Sequence, residues 1–237
     1  MACAGHHRES MGREYLSLVR RLLVPLLAGL VACGGGREAA APVVPATGAT
    51  ELPGLANTGA LLAPQGSDGF TDQAWQVKCE RLRTDIPPCP SNGTFVPAWR
   101  VLGAPSEWVG STAEFGFAFW IGVATNGYVP NTPGGDSRLY RYTYRATFDL
   151  SAFDPTSVLA HMDWSGDNIF EGWRVNGGAL RDGSASDGQW TSWKPITLSG
   201  AATTLQPGLN TLEFLLTGDG VTDGLAVRVR SVGARRR

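Results

Sequence analysis

The sequence predicts an all-β protein, an antiparallel β-sandwich of the jelly-roll type, and three features indicate this fold class. Apolar and polar residues alternate along short segments between about residue 66 and the C-terminus. Clusters of Gly, Pro, Asn and Asp separate these segments, as turns between strands require. No window of about twelve residues in this region places apolar residues at helical spacing. About eight or nine short strands separated in this way are typical of a sandwich around one core.

The clearest strand covers residues 140–150, where every even position is apolar or aromatic and every odd position is Arg, Thr or Asp. Because successive side chains of a strand point to opposite faces, we expect the even positions to face the core and the odd positions to face water. The same alternation marks residues 158–164, 212–216 and 225–229, and weaker candidate strands precede them at 74–78, 94–101 and 115–123.

The N-terminal segment has the composition of an export signal. Arg13, Arg20 and Arg21 precede an apolar stretch of about ten residues, 22–31. A membrane-spanning helix needs about 20 apolar residues, so this stretch is too short to span a bilayer. The sequence therefore predicts a signal peptide over residues 1–32.

The end of that segment, LVAC at residues 30–33, resembles a bacterial lipobox. The resemblance implies that the peptide before Cys33 is removed and that the Cys33 thiol receives diacylglycerol, which anchors the chain to a membrane of the cell envelope. Residue 34 is Gly and not Asp, which by the same resemblance favours the outer membrane over the inner membrane. The alternative is an ordinary secretory signal followed by an unrelated cysteine.

Residues 33–65 are rich in Ala, Pro and Gly, and their apolar residues follow no period. Such a composition buries too little apolar surface to offset the entropy of ordering. The sequence predicts a flexible tether here, followed by the β-sandwich domain over residues 66–237.

Two further cysteines, Cys79 and Cys89, lie ten residues apart. In an exported protein an even pair most simply forms a disulfide. A zinc site is the rival interpretation, but tetrahedral zinc needs four ligands and no second Cys pair or His cluster accompanies these two.

Several phrases of the sequence resemble bacterial extracellular galactose-binding-like jelly rolls. They occur in the order of that family, at residues 144–155 (YRATFDLSAFDP), 164–168 (WSGDN), 175–177 (VNG), 207–214 (PGLNTLEF) and 224–227 (GLAV). The resemblance is good over about residues 139–232 and loose over 66–138. It implies a sandwich like that of carbohydrate-binding modules. Jelly rolls related to these modules often hold a structural calcium ion.

The charge and the residue inventory argue against several function classes. The formal net charge is -1, which does not suit capture of nucleic acid through a basic face. After removal of the leader only His161 remains as a histidine, and no Gly-x-Ser-x-Gly elbow presents a nucleophile. We expect His161 and Asp163 to form a solvated surface pair. The sequence therefore predicts a protein without catalytic activity. The alternative is a glycan hydrolase whose catalytic carboxylates come from separate loops.

Tryptophans are the candidate ligand-binding residues, because an indole face stacks on the apolar face of a sugar ring. Trp164 and Trp173 fall on the inward phase of their strands and are expected in the core. Trp190 and Trp193 differ by three positions, so both cannot face inward from one regular strand. We expect Trp190, and secondly Trp108, to be exposed and to bind ligand.

The loop at residues 218–224 is the candidate metal site. It offers the carboxylates of Asp219 and Asp223 together with flexible backbone carbonyls, a set of hard oxygen ligands that suits calcium. A plain turn is the alternative, and no cofactor is required by the sequence.

These observations predict a lipid-anchored binding module of the cell envelope, non-catalytic and with carbohydrate as the ligand. The alternative is a structural or adhesive surface protein whose partner is another envelope protein. A strip of exposed aromatic rings beside polar groups would favour sugar, and a large exposed apolar patch would favour a protein partner.

Overall fold

The computed structural model of the protein describes residues 52–65, 69–91, 93–102, 104–105, 107–109, 118–127, 129, 135–136, 138–183 and 189–237. The predicted signal peptide, the predicted lipidation site Cys33 and residues 115–117 of candidate strand 115–123 lie outside the described residues. Within the described ranges no helix has the length and apolar character needed to cross a membrane.

The described residues form ten β-strands and two short 3-10 turns. The strands are β1 (Leu62–Pro64), β2 (Phe70–Arg81), β3 (Val96–Arg100), β4 (Ile121–Gly122), β5 (Tyr140–Asp149), β6 (Leu159–Asp167), β7 (Ile169–Val175), β8 (Lys194–Ser199), β9 (Leu209–Gly218) and β10 (Gly224–Gly233). The 3-10 turns cover Pro155–Ser157 and Gln189–Thr191.

The strands pair in the order β7-β9-β5-β2-β3-β4-β10-β6-β8, with β1 added beside β2, and every pair is antiparallel. The sheet curls so that its two halves face each other. Gly166 of β6 lies so close to the Leu216 side chain of β9 that a methyl group would not fit between them, although these strands are not neighbours in the sheet. The fold is therefore the all-β sandwich of jelly-roll type that the alternation predicts.

Aromatic side chains fill the space between the two halves. The even positions of β5 are buried, as predicted, and Tyr140, Tyr142 and Phe148 are each at most 1% exposed. Across the core, the Trp164 and Phe170 rings stack with centroids 3.8 Å apart. Each such ring removes on the order of 150–250 Å² from water, so these rings supply much of the hydrophobic stabilisation.

Each half of the sandwich carries, on the face opposite the core, one buried carboxylate between two arginines. On β9, Glu213 accepts hydrogen bonds from Arg145 of β5 and Arg174 of β7, its partners in the strand register. On β6, Asp163 is paired with Arg228 and Arg230 of β10. Both carboxylate side chains are almost completely buried.

The expectation of a solvated His161–Asp163 pair is therefore wrong. The Asp163 side chain is only 6% exposed because the two arginines of β10 cover it. His161 has a different partner, since its Nδ1 lies 3.2 Å from the Thr197 hydroxyl on the adjacent strand β8.

The disulfide between Cys79 and Cys89 is confirmed, with their Cα atoms 5.6 Å apart. It ties β2 to the loop that follows it. On the chain-entropy view, closing a loop of this size stabilises the fold by about 2–3 kcal/mol. The Ser91 hydroxyl supports the same corner, because it accepts a hydrogen bond of 2.7 Å from the Cys79 backbone N–H.

The domain begins earlier than the predicted boundary at residue 66. Leu52 and Leu55 are buried against the core. Asn57 and Thr58 run beside β10, where the Val227 carbonyl accepts from the Thr58 N–H and the Asn57 side chain accepts from the Val229 N–H. Residues 52–65 are thus part of the sandwich and not of a flexible tether. Their apolar residues show no period because residues 52–58 cover the core and the edge of β10, and only residues 62–64 form a strand, β1, beside β2.

Candidate functional site

A cluster of four tryptophans lies on the outer face of the half that contains β10. Ala226 of β10 points away from the core, since its neighbours Leu225 and Val227 point into it. The small Ala226 side chain leaves room for indole rings, and Val101 completes the floor beneath them. We call the surface formed by Trp108, Trp120, Trp190, Trp193, Arg228 and Arg230 the tryptophan face.

Trp108 and Trp120 form its buried base. Each is 2% exposed, and their ring centroids are 4.0 Å apart. The Trp120 indole N–H donates to the Val109 carbonyl at 2.9 Å, which fixes the orientation of that ring. The expectation that Trp108 is exposed is therefore wrong: its ring packs on Trp120 and supports the face from below.

Trp190 and Trp193 lie over this base and are both half-buried. The 3-10 turn Gln189–Thr191 holds the first of them, and the Val109 N–H donates to the Trp190 carbonyl at 2.7 Å. Because this segment turns instead of continuing as a strand, residues three positions apart pack against the same cluster. Trp190 is half-buried where the sequence predicts it to be exposed, Trp193 is half-buried as well, and ligand binding by Trp190 stays a prediction.

Charged groups border the two half-buried rings. The Arg228 guanidinium carbon lies 4.6 Å from the centre of the Trp193 ring. Its Nε donates to Asp163 at 2.7 Å, and the Nε of Arg230 lies 3.2 Å from the other oxygen of the same carboxylate. The Arg228 and Arg230 side chains are 35% and 50% exposed, so aromatic surface and cationic groups are accessible side by side.

In the loop predicted to bind metal, residues 218–224, the two carboxylates have different surroundings. Asp223 is 1% exposed, and its oxygens accept hydrogen bonds from the Tyr142 hydroxyl at 2.6 Å, the Gly220 N–H at 2.7 Å and the Asn168 amide at 3.0 Å. Burial raises the pKa of the Asp223 carboxyl to about 7, against the lowering effect of the Tyr142 hydrogen bond.

Asp219 lies closer to the surface of the same loop. One of its oxygens accepts from the Val221 N–H at 2.8 Å and the other from the Gly135 N–H at 3.3 Å. Within the described part of the chain, no three His, Cys, Asp or Glu side chains come together as metal ligands would. Donors of the protein thus occupy three of the acceptor positions of the Asp223 carboxyl group. The calcium site at Asp219 and Asp223 stays a prediction.

The residues that the sequence reasoning did not find are those brought together by strand register. Asn168 and Tyr142 meet Asp223 although 55 and 81 positions separate them along the chain. Arg228 and Arg230 carried a weak signal, because both lie on the outward phase of a strongly alternating segment.

The fold and this face define a β-sandwich with an aromatic and cationic surface on one side. No protein-family model and no curated protein matches the chain. Among solved structures, a β-glucosidase from Kluyveromyces marxianus in complex with glucose is similar over 78% of this chain, at 14% identity and a TM-score of 0.35. The match spans 19% of that enzyme, and a likeness at this level carries no argument about function.

Proposed function

We propose that this protein is a lipid-anchored binding module of the bacterial cell envelope that binds carbohydrate on the tryptophan face and has no catalytic activity. The observation that carries the binding role is the pair of half-buried rings, Trp190 and Trp193, held on the buried base of Trp108 and Trp120. The anchor rests on the lipobox-like residues 30–33, with Cys33 as the lipidated residue and the outer membrane as the favoured location.

A rigid indole platform suits sugar binding for a physical reason. The apolar C–H face of a pyranose ring loses contact with water when it stacks on an indole, and nearby polar groups bind its hydroxyls. The hydrogen bond from the Val109 N–H to the Trp190 carbonyl holds the backbone, and packing against the cluster holds the ring, so little side-chain entropy is lost when a ligand binds.

The surroundings of the acidic residues support a non-catalytic role. Asp223 has the raised pKa that a general acid would need, but it is 1% exposed and three hydrogen bonds occupy its oxygens. Asp163, the carboxylate that holds the two arginines of the tryptophan face, is covered by Arg228 and Arg230. Neither group is placed to exchange a proton with a ligand on the surface.

A second candidate function, adhesion to another envelope protein, is favoured by one feature. A groove of about 820 Å³ lies between residues 52–57 and the end of β10. Leu61, which is 53% exposed, Arg230 and Arg236 line it, so Arg230 borders this groove as well as the tryptophan face. A groove with an exposed leucine and an arginine suits a peptide segment better than it suits a sugar.

Native gel electrophoresis in the presence of polysaccharides distinguishes these functions. The protein is run in gels with and without each of a panel of neutral and acidic polymers, beside Trp190→Ala and Trp193→Ala. Phe95→Ala is the matched control, because Arg145 lies 3.5 Å over that ring, an aromatic–arginine pair outside the tryptophan face.

We expect at least one polymer to retard the protein, both tryptophan variants to lose most of the retardation and Phe95→Ala to keep it. Loss of retardation with EDTA would show that binding depends on a divalent cation such as calcium. Retardation by none of the polymers would contradict carbohydrate binding and leave the protein partner as the better function.

A further inference from the structure

We infer that the ligand of the tryptophan face is an acidic polysaccharide built from uronic acids, whose carboxylate binds Arg228 and Arg230 while a sugar ring lies on Trp190. This inference rests on the proposed carbohydrate binding and adds the chemical class of the ligand.

The way Asp163 holds the two arginines leaves their terminal nitrogens for a ligand. Both arginines contact the carboxylate through Nε, at 2.7 Å and 3.2 Å. Among the described residues, no hydrogen bond engages the terminal nitrogens of either arginine. A guanidinium fixed through Nε presents two parallel N–H donors, the geometry that matches a carboxylate.

The corresponding cluster on the other half of the sandwich is built differently. There Arg145 donates to Glu213 through both Nε and a terminal nitrogen, at 2.8 Å and 2.6 Å. Its guanidinium also lies over the Phe95 ring, so one terminal nitrogen and one face of this guanidinium are already engaged within the protein. Arg174, the second partner of Glu213, contacts that carboxylate through Nε alone, at 2.6 Å. The Asp163 cluster therefore differs in that both of its arginines, and not one of the two, are held through Nε alone.

The charge of the site favours an anion. Two guanidinium groups surround one carboxylate, which leaves an excess of one positive charge on this surface. Near it on strands β6 and β8 lie His161, whose ring contacts the Thr197 hydroxyl, and the exposed Pro195. Lys194 follows Trp193 and the exposed Glu107 precedes Trp108, and these two opposite charges leave the balance unchanged. The chain as a whole has a formal net charge of -1, so the excess is local.

The two half-buried tryptophans have different roles in this arrangement. Arg228 lies over Trp193, and this cation–π contact orients the guanidinium. Among the described residues no cation lies over Trp190, which leaves that ring as the platform for the sugar. A uronic acid offers both parts of the match in one unit, an apolar ring face and a carboxylate.

The test compares acidic polymers with their own neutral forms. The 237-residue chain with Cys33→Ser, which removes the predicted lipidated thiol, is titrated in native gels with polygalacturonate, alginate and hyaluronate and with the carboxyl-reduced form of each. We expect at least one acidic polymer to bind and its reduced form to bind at least tenfold more weakly.

Two arginine variants and a control locate the site. Arg228→Gln and Arg230→Gln are expected to weaken binding of the acidic polymer about tenfold each, equivalent to about 1.4 kcal/mol. Arg83→Gln removes the same charge at an exposed position paired with Asp85 and is expected to leave binding unchanged. If Arg228→Gln does not fold, Arg228→Lys keeps the ion pair with Asp163 but loses the planar fork, and a severalfold loss is expected.

Each outcome separates this inference from the proposed function. Equal binding of acidic and reduced polymers would overturn the uronic acid assignment and leave carbohydrate binding intact. Binding of neither form, together with no binding of neutral polymers, would overturn both. Equal losses in Arg83→Gln and Arg228→Gln would show a general charge effect and would also overturn the assignment.

Discussion

The Tyr142 hydroxyl donates a hydrogen bond of 2.6 Å to Oδ2 of Asp223, across 81 positions of the chain. Tyr142 lies on β5 in one half of the sandwich, and Asp223 ends the loop that leads into β10 in the other half. Because both groups are buried, this bond fixes the loop to the opposite side of the core.

Replacing Tyr142 by Phe is expected to destabilise the protein by about 1–3 kcal/mol, because a buried carboxyl group then loses one of its donors. The matched control is Tyr144→Phe. The Tyr144 hydroxyl is also buried but has no hydrogen-bond partner among the described residues, so its removal is expected to be neutral or slightly stabilising. Urea denaturation of both variants measures the difference, and equal losses would contradict this role for the Tyr142 hydroxyl.

The contribution of Asp223 to stability is expected to fall as the pH rises from about 4 to about 7. The pKa of Asp223 is about 7 in the folded protein and near 3.8 in the unfolded chain, so between these values the folded state holds a proton that the unfolded state has released. This proton stabilises the fold fully below the unfolded pKa, and its contribution, up to about 4 kcal/mol, is lost as the pH passes through the folded pKa.

Asp223→Asn is expected to reduce this pH dependence, because the amide does not ionise. Burial also raises the pKa of Asp72, which adds to the same trend in both proteins. The comparison is therefore the difference in unfolding free energy between pH 5 and pH 8, measured for each protein. An unchanged difference in the variant would show that Asp223 does not titrate in this range.

Glu213→Gln is expected to cost about 1–3 kcal/mol of unfolding free energy. It removes the buried charge that Arg145 and Arg174 share, although both arginines are about one-third exposed and regain part of their hydration. Glu80→Gln is the matched control, since Glu80 pairs with Lys78 at the surface and is expected to contribute less than about 1 kcal/mol. Similar losses in the two variants, measured by chemical denaturation, would contradict a special role for the buried carboxylate.

Cys33→Ser is expected to move the protein from the membrane fraction of the cell to the soluble fraction. We propose Cys33 as the attachment point of acyl chains because residues 30–33 resemble a lipobox, and each buried methylene would contribute about 0.8 kcal/mol to anchoring. Fractionation of cells that express each form measures the effect. A serine variant that stays in the membrane fraction would show that another feature anchors the chain.

The features that depend on local sequence patterns could be predicted from the sequence. Strand β5 and the disulfide partners follow from a period of two and from an even cysteine pair. The site depends on pairing between distant strands, which alternation does not report: Asp163 is buried because Arg228 and Arg230 lie opposite it on β10. The same limitation explains Trp108, whose burial depends on the position of Trp120.

The contact of Asn57 and Thr58 with β10 has a consequence for how the protein behaves at high concentration. A strand with unpaired backbone groups is a template for pairing with another molecule. In this protein the chain satisfies Val227 and Val229 of β10 with its own residues. A shortened chain that starts at residue 66 would leave the Val227 carbonyl and the Val229 N–H without these partners. We therefore expect residues 52–65 to prevent edge-to-edge self-association.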